Sequence, residues 1–485
     1  SPNPNPIPPH GSEQRRAGRR QALEARRRRR RGPPDDVLLL ILRRLGGAAE
    51  AGRTSVLSRR WSRLWTLLPD LHFHYLPARD QPSRIAAALR AHQGNLIRTL
   101  VVLELDAAAA SVAAWLPLAA ARLAGDMLIF NVAVGRPNAA AADADERGAF
   151  QLPCLGNATA VALHLGFLSV ALPAAGVFAR LAELFLEQVR FHGPGGDLGD
   201  VVSSPRCPSL KKLRVSEARG VVNLAIHSVS LLQLDLWIIH GLQRLAITAP
   251  ALEGLELHRC FAADRPPVVE ISAPQLLSLT WKDPYDQSTV RVIGDLGRPD
   301  RRLTTDAVYV YGQEESRAHN QHHLVELLRG FRAVETLRIT IDYPQDLGEL
   351  QYLMEDITRL PRVTFLELVV LCKGHAFGAS LFHVLRLCTG IRKLSLVLRD
   401  LEAHECPSGC PCDELANWKA DELSLNCLDE VELTNLKGAE YEVTFVKQLF
   451  SWATALQKMR ITFANLVSES MASNLRERLL TFSRP

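Results

Sequence analysis

Cysteines, histidines and carboxylates at short spacing are where chemistry would first be sought. The densest set is Cys406-x3-Cys410-x-Cys412, with His404 just before it and Cys427 beyond. Thiolate and imidazole bind zinc, but zinc sites generally pair a C-x2-4-C knuckle with a second pair further on. His404 and Cys427 do not complete such a spacing. Reduced thiols in a Pro/Gly-rich loop are expected there, and no metal ligand is assigned. His192-Gly193-Pro194-Gly195-Gly196-Asp197-Leu198-Gly199 has the composition of a phosphate-cradling loop. The third Gly of a G-x-G-x-x-G motif would fall on Leu198, and the pattern shows no clear helix after it, so no phosphate site is expected. His323 and Glu326 stand at i, i+3 on a predicted helix that also holds His322, and a solvated face is the expectation. No G-x-x-x-x-G-K-[ST], H-E-x-x-H or G-x-S-x-G occurs. With no nucleophile–base set, no catalytic residue and no cofactor are expected.

The 485 residues suffice for one long repeat array or two to three compact domains. No run approaches the roughly eighteen consecutive apolar residues of a membrane span. The sequence begins at Ser1 with no apolar segment near it, and its nine cysteines are an odd, scattered set. These features predict an intracellular protein with reduced thiols and an incomplete or processed start. Asn157-Ala158-Thr159 is then a chance sequon. The net charge of +5 is uneven. Residues 1–31 hold ten Arg against Glu13 and Glu24, a net of +8, which leaves about −3 for the rest. General polyanion binding is therefore not expected. Residues 1–33, Pro-rich and then Arg-rich, read as a disordered tail. The Arg26–Arg31 run reads either as a nuclear-import or nucleic-acid patch or as a solvated leader. No aromatic residue is interleaved with it to stack on bases.

Three short helices are predicted between Pro34 and Leu71. Pro34, Asp35 and Asp36 suit a helix start, where a missing N–H costs nothing and carboxylates meet the positive end of the dipole. Leu38, Ile41, Leu42 and Leu45 follow at one-face spacing and Gly46-Gly47 ends the helix. A second helix runs from Ala48 to about Leu57. Ser58 caps a third, with Trp61, Leu64, Trp65 and Leu68 at spacings of three and four. About forty residues enclose little core. Either the following chain covers these apolar faces as a capped domain, or another protein does, with the Trp residues as anchors.

From about Leu96 onward one pattern recurs, apolar-x-x-apolar-x-apolar. It appears at Leu100/Leu103/Leu105, Ala160/Leu163/Leu165, Leu181/Leu184/Leu186, Leu210/Leu213/Val215 and Leu231/Leu234/Leu236. It continues at Leu242/Leu245/Ile247, Leu252/Leu255/Leu257, Leu276/Leu279/Trp281 and Val334/Leu337/Ile339. The remaining matches are Val363/Leu366/Leu368, Ile391/Leu394/Leu396, Leu428/Val431/Leu433 and Leu456/Met459/Ile461. Many start about 21 to 29 residues apart, the period of leucine-rich repeats. Each unit would give a short strand whose last two apolar side chains enter a shared core, so neighbours must stack into an arc. Leu242 and Leu252 are too close for two full turns with helices, which predicts strand-to-strand returns in that block. Ala107–Ala124 reads as an Ala-rich helix broken by Pro117, and 139–148 as an exposed loop. His322–Phe331 and Leu347–Leu360 read as short amphipathic helices. Glu183, Glu256 and Glu367 fall between inward positions and are expected on the outer sheet face.

PDDVLLLIL, TSVLSRRW, RLW and LPDLHF, in that order from Pro34, resemble the F-box of large plant F-box/leucine-rich-repeat proteins of the grass type. Pro33 stands where that family usually carries Leu. The blocks CPSLKKLRV (207–215), GLQRLAI (241–247), APALEGLELHRCF (249–261) and ISAPQLLSLTW (271–281) resemble the family's repeats. Residues 406–463 resemble its FBD region, which usually runs on past a segment like LLTFSRP, so a further terminal strand is expected to be missing. The resemblance implies an α/β protein: a three-helix F-box at 34–75, an irregular solenoid at 96–400 and an FBD-like continuation at 401–485. It further implies a non-catalytic, nuclear or cytoplasmic receptor subunit of a ubiquitin ligase. A Skp-type adaptor, and through it a cullin, would bind the F-box, and an unknown protein substrate would bind the repeats. Membrane and nucleic acid are not expected partners. The adaptor-facing residues carried over are Pro34, Leu38, Ile41, Leu42, Leu45, Val56, Leu57, Trp61 and Trp65. The competing reading is a repeat scaffold without ligase function.

Overall fold

The computed structural model describes residues 33–74, 81–94, 96–132, 148–192, 197–262, 267–293, 301–313, 317–399, 406, 409–414, 416–465 and 467–482. The Arg-rich tail, His404 and most of the 139–148 loop lie outside the described residues. The chain forms two compact units, Ser1–Ala107 with Ser111–Val134, and Gly135–Pro485 with Ala108–Ala110.

In the first unit the helices are α1 (Asp35–Arg43), α2 (Ala48–Arg53) and α3 (Trp61–Leu64), with 3-10 turns at Thr54–Val56 and Trp65–Leu67. Asp35 and Asp36 occupy the first turn of α1 and Arg43 its last. Gly46, at φ +83°, turns the chain out of it in the left-handed region that Gly adopts at little steric cost. The second and third helices are shorter than predicted, each running into a 3-10 turn. Three parallel strands follow in register, β1 (Asp70–Phe73), β2 (Ile97–Leu105) and β3 (Leu123–Val132). Helix α4 (Gln81–Ala91) connects the first pair and α5 (Ala109–Ala120) the second. Pro117 does not break α5. Trp115, Leu116 and Ala119 are fully buried beside it, and their burial offsets the roughly 3 kcal/mol that an internal Pro costs.

The phase of β2 differs from expectation. Leu100 and Val102 face inward with Glu104, while Leu103 is half-buried and Leu105 exposed. Strand side chains alternate with period two, so a one-residue misreading of phase swaps the faces. Glu104 is 2% exposed, and burial pushes its carboxyl up to about 7, the Trp115 indole opposing the shift.

The second unit is a solenoid built, among the described residues, on one ladder of twelve parallel strands. Its first half comprises β5 (Ala160–His164), β7 (Glu183–Glu187), β9 (Lys212–Arg219), β11 (Gln233–His240), β13 (Gly254–His258) and β15 (Ser278–Lys282). The second half comprises β17 (Arg302–Tyr309), β19 (Ala333–Asp342), β21 (Arg362–Leu371), β22 (Lys393–Leu398), β23 (Glu430–Leu436) and β24 (Lys458–Phe463). From Leu163/Leu165 to Val431/Leu433 the last two apolar residues of each predicted repeat are buried. Equivalent residues align across the ladder: Leu213, Leu234, Leu255 and Leu279 are successive register partners.

The chain returns between ladder strands in two ways. Short strands β4 (Ala149–Gln151), β6 (Ser169–Ala171) and β8 (Arg190–Phe191) pair with one another. Further on, β10 (Asn223–His227), β12 (Arg244–Thr248), β14 (Val268–Ser272) and β16 (Val290–Ile293) make a separate four-stranded parallel sheet. The Leu242/Leu245/Ile247 match therefore belongs to a return strand, which explains its crowding against Leu252. Most later returns are helical, α7 (Arg317–Gly330), α8 (Gly378–Leu387) and α10 (Glu440–Trp452), and α11 (Glu469–Leu480) follows the last strand. A short α6 (Leu198–Val202) precedes β9, and α9 (Pro411–Glu414) lies between β22 and β23.

Leu347–Leu360 is not a helix. It holds β20 (Gln351–Tyr352), antiparallel to β18 (Tyr311–Gly312), then a 3-10 turn at Met354–Asp356. Leu347, Leu353, Met354 and Ile357 are buried, so the apolar spacing was real but was satisfied by an irregular path. The Tyr311–Tyr352 ring contact, 5.4 Å between centroids, accompanies the pairing.

Leu255 is fully buried in mid-ladder. Leu255→Ala is expected to lower stability by about 2–5 kcal/mol, read as a reduced urea midpoint of the cooperative transition of the second unit. Glu104 binds its proton more tightly folded than unfolded, so its contribution to stability falls as pH rises from about 4.5 to about 7 and stays reduced above. Glu104→Gln is expected to raise the melting temperature at pH 8 and change it little at pH 4. An equal effect at both pH values would refute this account.

Candidate partner-binding surfaces

The three N-terminal helices carry two apolar stripes. Leu38 and Leu42, at i, i+4 on α1, are buried in the unit's own core with Leu64 and Leu68. The resemblance implied a partner-facing role for both, and the structure places their side chains inside the fold. Ile41 and Leu45, also at i, i+4, lie on the neighbouring face and are exposed, as are Val37 and Leu40. Val56 is 89% and Leu57 65% exposed at the end of the second helical segment. Pro34 is exposed, and Trp61 and Trp65 are half-buried. Arg60 of the α3 N-cap pairs with Asp35, and Asp70 receives Arg43 at 3.8 Å and Arg98 at 2.6 Å. Two of these pairs link the helices to each other and to β1, while the apolar side chains stay in water.

The second surface is the outward face of the ladder. Side chains between the inward leucines line up in rows, one of them Phe185, Arg214, Asp235, Glu256 and Thr280. Asp235 is buried, and its Oδ2 accepts from Arg214 Nε at 3.1 Å and Nη2 at 2.8 Å. The guanidinium also lies 5.7 Å from the ring centroid of Trp237. His258 meets the same indole edge-on at 5.8 Å. Burial, then Asp235, raise the Glu256 carboxyl above its ordinary range. Burial, then Lys282 and Arg259, push the His258 imidazole down, which favours its neutral form. The result is a half-exposed Trp beside a fixed Arg, the residue types that dominate binding hot spots. Further along, Arg302 pairs with Glu367 at 3.2 Å, Lys458 with Glu430 at 2.8 Å, and Lys393 lies 4.9 Å over the Phe365 ring.

Glu183, Glu256 and Glu367 are half-buried on this outer face, where the alternation put them. Trp237, Arg214 and Asp235 were missed. Their signal was the same alternation, since each directly follows an inward Leu of its strand.

The other sequence candidates fall out differently. A helix does follow the Gly-rich loop, but its N-cap Asp197 accepts from Gly199 N–H, placing a carboxylate where a phosphate would sit. Residues 193–196 lie outside the described residues. His323 is not a purely solvated residue: its Nδ1 is 3.1 Å from the Tyr285 carbonyl, while Glu326 pairs with Arg329. All nine cysteines are unbridged. Cys427 is exposed, whereas Cys406, Cys410 and Cys412 converge on His375, a residue about thirty positions upstream that the sequence reading did not connect to them. No helix among the described residues is long and apolar enough to cross a membrane.

A parallel ladder with inward leucines, an irregular period that is shortest between Leu213, Leu234 and Leu255, and mixed returns define a leucine-rich-repeat protein. Residues 112–339 match the family model described as FBD-associated F-box protein At5g56370, LRR repeats. Along most of the chain there is similarity to an Arabidopsis thaliana protein named F-box/FBD/LRR-repeat protein At4g03220, with 23% identity over 462 residues, covering 89% of each chain. The chain is thus similar, over most of its length, to a plant protein named for its F-box, FBD and repeats, and the motifs read from the sequence point the same way.

Removing Arg214 leaves the buried Asp235 carboxylate without its main partner. Arg214→Ala is expected to cost about 1–3 kcal/mol in urea unfolding. Trp237→Ala, at a half-exposed ring, should cost well under half as much. The reverse order would show that the row serves folding more than recognition.

Proposed function

We propose that this chain is the substrate-recognition subunit of an SCF-type (Skp–cullin–F-box) E3 ubiquitin ligase, acting in the nucleus or cytoplasm. The helices of the first unit dock a Skp-type adaptor and, through it, a cullin. The ladder face of the second unit captures a target protein around Trp237, Arg214 and His258. The chain performs no bond chemistry itself. It holds the target near a ubiquitin-charged enzyme and so raises effective concentration.

The observation that carries this reading is the exposed apolar set on the helices. Fully burying each such side chain is worth roughly 1.5–3 kcal/mol, which water withholds and a partner groove supplies. Ile41, Leu45, Val56 and Leu57 form the proposed contact, with Pro34, Trp61 and Trp65 at its margin. Leu38 and Leu42 act from beneath by holding α1 in place. The similarity to a protein named for its F-box, FBD and repeats supports the same assignment.

The test is binding of a purified Skp-type adaptor to the full chain. Val56→Asp with Leu57→Asp, both at exposed positions, should leave the thermal melt unchanged and weaken binding at least about tenfold, given what desolvating a charge costs. Ile41→Ala should weaken it less. A folded wild-type chain that binds no adaptor would refute the ligase reading and favour a repeat scaffold.

A further inference from the structure

The connection between β22 and β23 runs from Arg399 to Asp429 and is the longest of the late returns. Its regular structure among the described residues is α9 and a 3-10 turn at Ala416–Lys419, and connections of this length are uncommon in compact folds and usually serve a function when ordered. Cys406 Sγ lies 3.3 Å from His375 Nδ1 and 3.5 Å from Cys412 Sγ, and Cys410 Sγ lies 3.5 Å from the same ring nitrogen. All four donor atoms fall within 4.8 Å of one another. Donors around a tetrahedral zinc, at about 2.3 Å for sulfur and about 2.0–2.1 Å for nitrogen, are about 3.6–3.8 Å apart. The set needs shifts of only a fraction of an ångström to a little over one to meet that geometry. No sulfur pair is near the roughly 2.05 Å of a disulfide.

The surroundings favour a ligand role over chance packing. His375 is 1% exposed, and its Nε2 is 3.3 Å from the Gln345 carbonyl. A carbonyl can only accept, so Nε2 carries the hydrogen and the Nδ1 lone pair faces the sulfurs. This is how histidines that bind metal are held by their outer partners. The ring also stacks on Tyr343, 5.9 Å between centroids at 23°, and the Tyr343 hydroxyl is fixed 2.7 Å from Ser380 Oγ. Gly409, at φ +83°, bends the chain just before Cys410.

We infer that His375, Cys406, Cys410 and Cys412 form a closed Cys3His zinc site that staples the β22–β23 connection to the turn between β21 and α8. Three thiolates with one imidazole select Zn2+ over the hard oxygen-seeking cations. Four protein donors leave no open position for water, so the site is structural. It sets the path of the chain into Trp418, whose ring packs at 6.0 Å from Trp452 and 6.3 Å from Phe445. Gly378 at the start of α8 makes room for that ring, since a Cβ there would collide with the Trp418 indole.

The experiment uses the reduced full chain. Elemental analysis should find about one Zn2+ per chain, and replacement by Co2+ should give the thiolate charge-transfer and strong d–d bands of a tetrahedral site. His375→Ala and Cys412→Ser should each abolish stoichiometric metal, while Cys427→Ser should keep it. Chelation of the wild type should speed proteolysis between 399 and 429 severalfold. If the ligand variants fail to fold, the wild-type Co2+ spectrum and the chelation result still decide. A folded, reduced wild type that binds neither ion would overturn the site. So would metal retained in both variants, or a disulfide among the three cysteines in the native protein.

Discussion

The structure of the second unit depends on the stacking of inward leucines. Each repeat offers two or three apolar side chains that its own strand cannot cover. Only the repeat before and the repeat after can do so, in parallel register, as Leu234 does between Leu213 and Leu255. Such a unit is stable as an array, with each interface supporting the next. The same constraint frees the outward positions. They add little to the core and can vary, which is why an aromatic and charged row can run beside a uniformly aliphatic one.

The returns are free to vary for the same reason. A ladder strand must be followed by something that covers the far side of its leucines and brings the chain back one rise. Between β9 and β17 this is done by a second parallel sheet, whose strands alternate with those of the ladder. Past β17 it is done mostly by helices with apolar faces, such as α8 and α10, and between β19 and β21 by β20 and a 3-10 turn. The two solutions differ in length, and that difference makes the repeat period irregular without disturbing the ladder register.

The two units offer different recognition chemistry. The helices expose aliphatic side chains, Val56 and Leu57 above all, suited to a groove that removes them from water. The ladder face offers Trp237 held between Arg214 and His258, with Asp235 and Glu256 below. Under the proposed receptor function, the first would be the adaptor surface and the second the target surface. The proposed zinc staple belongs to neither surface; it would fix the course of a long connection that is otherwise anchored by Trp418, Leu425 and Leu428.

The sequence by itself determined the repeat ladder, the three short helices and the outward placement of Glu183, Glu256 and Glu367. Alternation and 3.6-residue spacing are local properties, and burial enforces them strongly. It also carried the motifs that link the chain to its relatives. It misled where two local readings were equally good: the phase of β2, the irregular path of Leu347–Leu360, and α5 continuing through Pro117. In each case packing from distant residues chose the answer. Tertiary structure alone decided that Leu38 and Leu42 turn inward while Ile41 and Leu45 do not, since one helix presents both stripes equally in sequence. It alone brought His375 to Cys406, Cys410 and Cys412, because a ligand set assembled across two repeats leaves no spacing to read.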